Sequence, residues 1–266
     1  MERKYKALAI DLDGTLLNPD HAISEEDEAA LGELRRKGIP VIVVTGRTLE
    51  EVQGFRHCLN LNGDISILQG GAVIAHFRDG GVNLDYAEIS REDRRKMIAI
   101  AERNGFYPLV YLGESPFTQP HDNPYHDWYE EMMNHRIFRV DDIMSVQENL
   151  TVGKLAMVAP SEVLDRAEKE MAAADLSVSW GRSFAFGTDI CLRSKRQALT
   201  EVLVELGILP EETVAIGDSN NDMEMVQFAG LGIAMGNATE ALKAAADAVT
   251  EDNRHSGVAC AIRRYF

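Results

Sequence analysis

Residues 7–17 read ALAIDLDGTLL, and this stretch decides the fold. An apolar run, Ala7 to Ile10, meets two aspartates, Asp11 and Asp13, and a Gly14-Thr15 turn before apolar character returns at Leu16 and Leu17. A short buried strand of this kind delivers paired carboxylates to its C-terminal end. Buried charge is strongly penalised unless a cation or hydrogen-bond donors compensate it. The rest of the chain is therefore expected to supply partners for the two acids.

Working outward, Ser24 followed by Glu25, Glu26 and Asp27 reads as an N-cap with an acidic first turn, and Gly38 closes that helix. The β-branched run IPVIVV, residues 39–44, ends at Thr45-Gly46-Arg47. Strand, helix, strand in this order implies a right-handed crossover in a parallel sheet buried on both faces. Ligands of such sheets collect beyond the carboxyl ends of the strands, so Asp11, Asp13 and Thr45 are expected on one rim. Thr48, with Glu50 and Glu51, is expected to cap another helix. Ile65–Leu68 gives a third apolar run, broken by Gly70-Gly71, and residues 72–87 read as a hairpin turning at Asp79-Gly80-Gly81.

Residues 84–189 have a different texture, with strands and helices mixed and no regular βα beat, which predicts an α+β insertion. The expected division is a core of residues 1–83 and 190–266 around an inserted domain of residues 84–189. The segment FTQPHDNPYHDWY, residues 117–129, is open between substrate recognition and a reading in which Tyr125, Trp128 and Tyr129 are packing residues with His121 and His126 in solvent. Met132, Met133 and Met157 are read as packing too. Lys154 is open between a snorkelling surface residue and a substrate contact. Regular α/β texture resumes with a helix from Lys195 to Leu206, ended by Gly207. The strand Val214–Ile216 then runs into GDSNNDMEM, where Asp218 and Asp222 flank Asn220-Asn221. A strand over Leu231–Met235 and a last β-α pass through Ala248-Val249 and the helix from Gly257 complete the sheet.

The whole chain has 266 residues, 45% of them hydrophobic, which is enough for a sizeable core. Its net charge of −16, without a basic block, argues against nucleic-acid binding. Any site for an anionic substrate must be locally positive. Cys58, Cys191 and Cys260 show no zinc or disulfide spacing, so a reducing compartment is the default. With no apolar run of membrane-spanning length and no signal-peptide pattern after MERKYK, no membrane association is expected, and the cytoplasm is the expected location.

Asp11, Asp13, Asp218 and Asp222 on one rim call for a hard cation, and magnesium fits oxygen ligands best. Thr45 and Lys195 add a hydroxyl and a cation, and together these groups make a pocket for a phosphoryl group attacked in line. An aspartate can serve as the nucleophile, and a second acid two residues on can protonate a leaving alkoxide and later deprotonate water.

DLDGTLL at 11–17, Thr45-Gly46-Arg47, Lys195 with Ala198-Leu199 behind it, and GDSNNDMEM at 217–225 together resemble the haloacid-dehalogenase-like phosphatases, in particular the Cof-type subfamily with its large α+β cap. The resemblance implies a Rossmann-like core with an inserted cap that sets specificity, and a Mg2+-dependent phosphatase acting on small phosphorylated metabolites such as sugar phosphates through an aspartyl-phosphate. It implies Asp11 as nucleophile and metal ligand, and Asp13 as general acid/base with its carbonyl on the metal. Thr45 and Lys195 would hold phosphate, Asp218 the metal, and Asp222 either the metal through water or Lys195. Leu12, Gly14, Gly46, Asn221 and Asn253 are expected at the phosphate. The chain departs from the pattern at Arg196 after Lys195, at Gly70-Gly71 and at Ser256 before Gly257, and Arg193 or Arg196 could share the task of Lys195. Arg47 is read as structural. A sugar phosphomutase and a non-enzymatic Mg2+- and phosphate-binding regulator remain as alternatives.

Overall fold

Strand β1 (Ala7–Ile10) is buried along its whole length and leads the chain into its larger unit. The computed structural model describes residues 4–55, 59, 63–78, 81–120, 122–133, 136–146, 150–184 and 186–266. Cys58, His121, Asp79, Gly80 and the side chains of Met132 and Met133 lie outside the described residues. Two compact units are distinguished, residues 1–85 with 195–266, and residues 86–194.

In the larger unit, α1 (Glu25–Arg36) starts where the Ser24 side chain accepts from the Asp27 amide. It is followed by β2 (Val41–Val44) and by α2 (Leu49–Gln53), whose Thr48 and Glu51 form a full capping box. Next come β3 (Ile65–Leu68), β4 (Val73–Arg78) and β5 (Gly81–Tyr86). β4 turns back antiparallel to β3, with Ile67 opposite Ile74.

The smaller unit opens with α3 (Arg91–Arg103), β6 (Leu109–Leu112) and β7 (Ser115–Thr118). It continues through α4 (Pro124–Met133), β8 (Phe138–Arg139), α5 (Ile143–Val146) and β9 (Val152–Val158). α6 (Ser161–Ala173), β10 (Ser179–Phe184) and β11 (Gly187–Cys191) complete it. Its six strands lie in the order β10-β11-β9-β6-β7-β8. Met97 and Ala101 of α3 and Leu164, Ala167 and Met171 of α6 share one apolar cluster with Val110, Leu155, Met157 and Ile190. On the other side Tyr129 of α4 joins Leu109, Tyr111, Ala156 and Val158, with Tyr125 and Trp128 packed against them. His126 departs from the expectation of solvent: it is buried, because it lies one helical turn before Tyr129 on the same inward face of α4. Lys154 neither snorkels nor faces solvent. It is buried, with Nζ 2.9 Å from Asp189 Oδ1 and 5.0 Å from the centre of the Tyr111 ring, and the Tyr111 and Tyr129 hydroxyls lie 2.8 Å apart. Residue 189 falls inside β11, so a division at that point would cut a paired strand; the smaller unit extends to Ser194.

The chain re-enters the larger unit at α7 (Lys195–Leu206), followed by β12 (Thr213–Gly217), α8 (Met223–Phe228), β13 (Leu231–Ala234), α9 (Glu240–Ala245), β14 (Ala248–Val249) and α10 (Gly257–Tyr265). The eight-stranded sheet has the order β14-β13-β12-β1-β2-β3-β4-β5. Six of these strands run parallel, from β14 through β3. Ala198, Leu199, Val202 and Leu203 of α7 bury against Ala7, Ala9, Ile42, Val44, Ile67 and Ala215. Full burial of each branched aliphatic side chain contributes about 1.5–3 kcal/mol. At the far end the Asp27 carboxylate accepts from the Ala259 amide at 2.7 Å, tying α1 to α10. β1 therefore lies between β12 and β2, with Ile10 level with Ile216 and Val43, and this register decides which residues emerge together.

Candidate active site

Where β1, β2 and β12 end, the next residues are Asp11, Thr45 and Asp218. The Asp11 amide still donates to Ile216 O at 3.1 Å, so its side chain leaves the sheet as the strand finishes. Leu12 is fully buried, and its carbonyl accepts from the amides of Thr15 and Leu17, which closes the loop tightly. Gly14 sits in that loop at φ +78°, and a Cβ there would run into the Asp218 carboxylate. Both the backbone angle and the close approach therefore require glycine.

Lys195, the first residue of α7, is buried, and its Nζ lies 2.7 Å from both Asp11 Oδ1 and Asp222 Oδ1. The other Asp222 oxygen accepts from the amides of Asp218 and Ser219 at 3.2 and 3.1 Å. One oxygen of Asp222 thus braces Lys195. Thr15 donates to Asp218 Oδ1 at 3.1 Å. Asp11, Asp218 and Asp222 each offer an oxygen within 4.8 Å of the others.

Three carboxylates around one ammonium leave an excess of negative charge, and the proton affinities show it. Burial, then the Asp222 charge, pushes Asp11 well above the usual carboxylate range, against the pull of Lys195. The same two causes push Asp218 up to about 7. For Lys195 burial opposes the charged form, but the Asp11 and Asp222 carboxylates outweigh it and hold the ammonium protonated. With Lys195 on one oxygen of Asp11 and Thr15 on one oxygen of Asp218, each acid has a second oxygen to offer. This all-oxygen, acid-rich donor set fits a hard divalent cation.

Asp13 is half-exposed and stands apart from the three-acid group. Arg47 grips it at two points, Nε to Oδ2 at 2.8 Å and Nη2 to Oδ1 at 2.7 Å. The Thr45 side chain is buried and its Oγ1 accepts from the Arg47 amide at 3.1 Å. Gly46 lies between these two on the same loop. The turn after β3 supports that loop, Gln69 and Gly70 donating to the carbonyls of Arg47 and Thr45. Gln69, Gly70 and Gly71 all have positive φ there, 52°, 72° and 111°, which accounts for two consecutive glycines.

Asn221 accepts from the Ser219 hydroxyl at 2.7 Å, within the turn that presents Asp218. Asn253 donates to Leu17 O at 2.7 Å and its backbone amide donates to Asn237 Oδ1, so it braces the Asp11–Leu17 loop. Arg196 is exposed and its guanidinium lies over the Phe228 ring at 5.3 Å, which removes it as a partner of Asp11. Arg193 is buried at the end of the smaller unit. Sequence reasoning missed Asn237, whose side chain donates to Gly14 O at 2.7 Å, and Thr15. The available signal for Asn237 was its place just past β13, a parallel strand ending on the same rim.

The family profile of haloacid dehalogenase-like hydrolases matches residues 8–262. The 5-amino-6-(5-phospho-D-ribitylamino)uracil phosphatase YcsE of Bacillus subtilis is 31% identical, over 98% of this chain and 95% of its own. A phosphatase of the same superfamily from Bacteroides thetaiotaomicron, BT1666, superposes with a TM-score of 0.86 at 28% identity, over 98% of this chain and 95% of its own. The HAD subclass IIB sugar phosphatase BT4131 does so with a TM-score of 0.80 at 26% identity, over 98% of both chains.

Proposed function

The chain belongs to the haloacid dehalogenase-like hydrolases, and on that premise we propose that it is a Mg2+-dependent phosphatase of small phosphorylated metabolites, working through an aspartyl-phosphate on Asp11. The observation that carries this reading is Lys195 bridging Asp11 and Asp222 beside Asp218. The ammonium favours the ionised form of Asp11 against burial and the neighbouring acids, and aims the carboxyl where a strand end meets the rim.

In this reading Asp11 attacks phosphorus, and Asp13 gives its proton to the departing oxygen. Water then attacks the phosphoryl group, Asp13 takes up its proton, and Asp11 is regenerated as a carboxylate. Lys195 and Thr45 supply positive charge and a hydroxyl to the phosphoryl oxygens, with the loops carrying Leu12, Gly14, Gly46 and Asn221 around them. Asp11, Asp218, Asp222 through water, and the Asp13 carbonyl would hold Mg2+. When bound there, the ion would supply positive charge to offset the acid excess and to polarise the phosphoryl group. Asn253 and Asn237 keep the Asp11–Leu17 loop in shape.

The relatives support a substrate class. One is named for a phosphoribityl ester and another as a sugar phosphatase, and both descriptions share a phosphate on a hydroxylated carbon chain. We assign this chain that chemistry, with the smaller unit as the specificity cap. A screen of phosphorylated sugars and sugar alcohols with Mg2+, measuring free phosphate, tests it. The expected result is phosphate release with one ester or a narrow group favoured; isomerised sugar phosphate without free phosphate would identify a mutase instead.

A further inference from the structure

The two-point grip of Arg47 on Asp13 has no part in the chemistry so far. Asp13 sits on a loop rather than in the sheet, its side chain is 45% exposed, and the next residue is the positive-φ Gly14. A carboxyl placed so would rotate among several orientations, and misorientation by a few tenths of an ångström to one ångström is costly in proton transfer. Arg47 is its opposite. Its side chain is 17% exposed, its guanidinium lies over the Phe55 ring at 5.3 Å, and its own amide and carbonyl are held by Thr45 Oγ1 and the Gln69 amide. Asp13 is thus a mobile group fastened to a fixed one, by the planar fork that matches a carboxylate and that lysine lacks.

We infer that Arg47 is a positioning residue for the proton-transfer steps, fixing the orientation of the Asp13 carboxyl through both halves of the reaction. The inference rests on the reading of Asp13 as general acid/base. In the first half the Asp13 proton goes to the leaving oxygen as the P–O bond breaks, and both Asp13 oxygens are then free to accept from Arg47, the arrangement seen in the structure. In the second half one of those oxygens takes the proton of the attacking water while the other keeps its bond to the guanidinium.

The test compares Arg47→Ala, Arg47→Lys and Asp13→Asn with the wild type on two esters. p-Nitrophenyl phosphate has a leaving group that needs no proton, whereas β-glycerol phosphate has one that does. Asp13→Asn is expected to lower kcat on β-glycerol phosphate by on the order of 100-fold or more while largely sparing p-nitrophenyl phosphate. Arg47→Ala is expected to show the same selectivity at about tenfold or more, with KM nearly unchanged on both esters. Arg47→Lys keeps the charge but not the fork and is expected to behave like Arg47→Ala. Full rescue by lysine, or an equal loss on both esters in Arg47→Ala, overturns the positioning role. If Asp13→Asn turns over β-glycerol phosphate normally, the acid/base reading itself fails and takes the inference with it. Should Arg47→Ala fold poorly, Phe55→Leu loosens the same guanidinium and is expected to give a smaller loss, again confined to β-glycerol phosphate; an unselective loss there also overturns the inference.

Discussion

Among the described residues two lysines are buried, one in each unit, and they answer to opposite designs. Lys154 in β9 has Asp189 beside it and an aromatic ring beneath it, so cation and carboxylate match one to one. Lys195 has Asp11 and Asp222 on its ammonium and Asp218 close by, three acids to one base. A matched pair is complete within the protein and holds two strands of a sheet in place. An unmatched one is complete only with something added, and that deficit is what marks the rim as the place of chemistry.

The largest effect that would sharpen this contrast comes from Asp11→Asn. Turnover should fall by on the order of 10^4-fold or more, since the proposed nucleophile is gone. The metal-free melting temperature should hold or rise, because one of three crowded like charges has been removed. Calorimetry showing strong destabilisation would mean that the Lys195 cluster is structural after all.

Asp189→Asn should do the reverse. Leaving Lys154 buried without its carboxylate is expected to cost about 3–5 kcal/mol in urea unfolding, with kcat of the folded fraction retained. Replacing both, Lys154→Met with Asp189→Leu, should recover most of that loss. A double variant no better than the single one would show that the pair does more than match charge.

Mg2+ should stabilise the wild type by about 2.7 kcal/mol at 100 times its Kd. Asp218→Asn should lose this response and Asp189→Asn should keep it, which thermal shift reads directly.

The remaining effect is in pH. Asp218 is pushed up to about 7 in the folded protein, against about 3.9 for an unperturbed aspartate, so the folded state holds the proton more tightly than the unfolded one. Its contribution to stability is full below about pH 4 and is lost as pH rises to about 7 in the metal-free protein. Because the cation competes with that proton, the Mg2+-induced shift in melting temperature should grow over the same window. A shift that shrinks as pH rises contradicts the placement of the metal on Asp218.

The sequence made the two halves of this contrast unequally legible. Asp11, Thr45 and Asp218 announced themselves because each follows an uninterrupted apolar strand, and a parallel sheet puts such ends on one rim whatever the helices do. Lys195 could be placed because it opens a helix whose apolar face packs behind the site. Lys154 and His126 could not, since a charged or polar residue in an apolar run gives no sign of whether a partner such as Asp189, far along the chain, will meet it. The work of Asn237 and the grip of Arg47 were hidden for a similar reason: side chain to carbonyl and side chain to side chain contacts between loops leave no periodicity. The six-stranded order β10-β11-β9-β6-β7-β8 was equally out of reach, because antiparallel pairings of non-consecutive strands depend on contacts that local texture does not encode.

The ammonium that steadies Asp11 belongs to a residue 184 positions further along. At typical synthesis rates of about 5–20 residues per second, roughly 10 to 40 s separate the appearance of the aspartate from that of its lysine on the ribosome. Asp218 and Asp222 come later still. The nascent chain thus passes through a long interval in which the six-stranded sheet can close within its own stretch while the aspartate has neither its cation nor its neighbours. Until α7 and β12 have been made Asp11 lacks both Lys195 and Asp218, and chains released before that point, with the whole insertion, are expected to be inert.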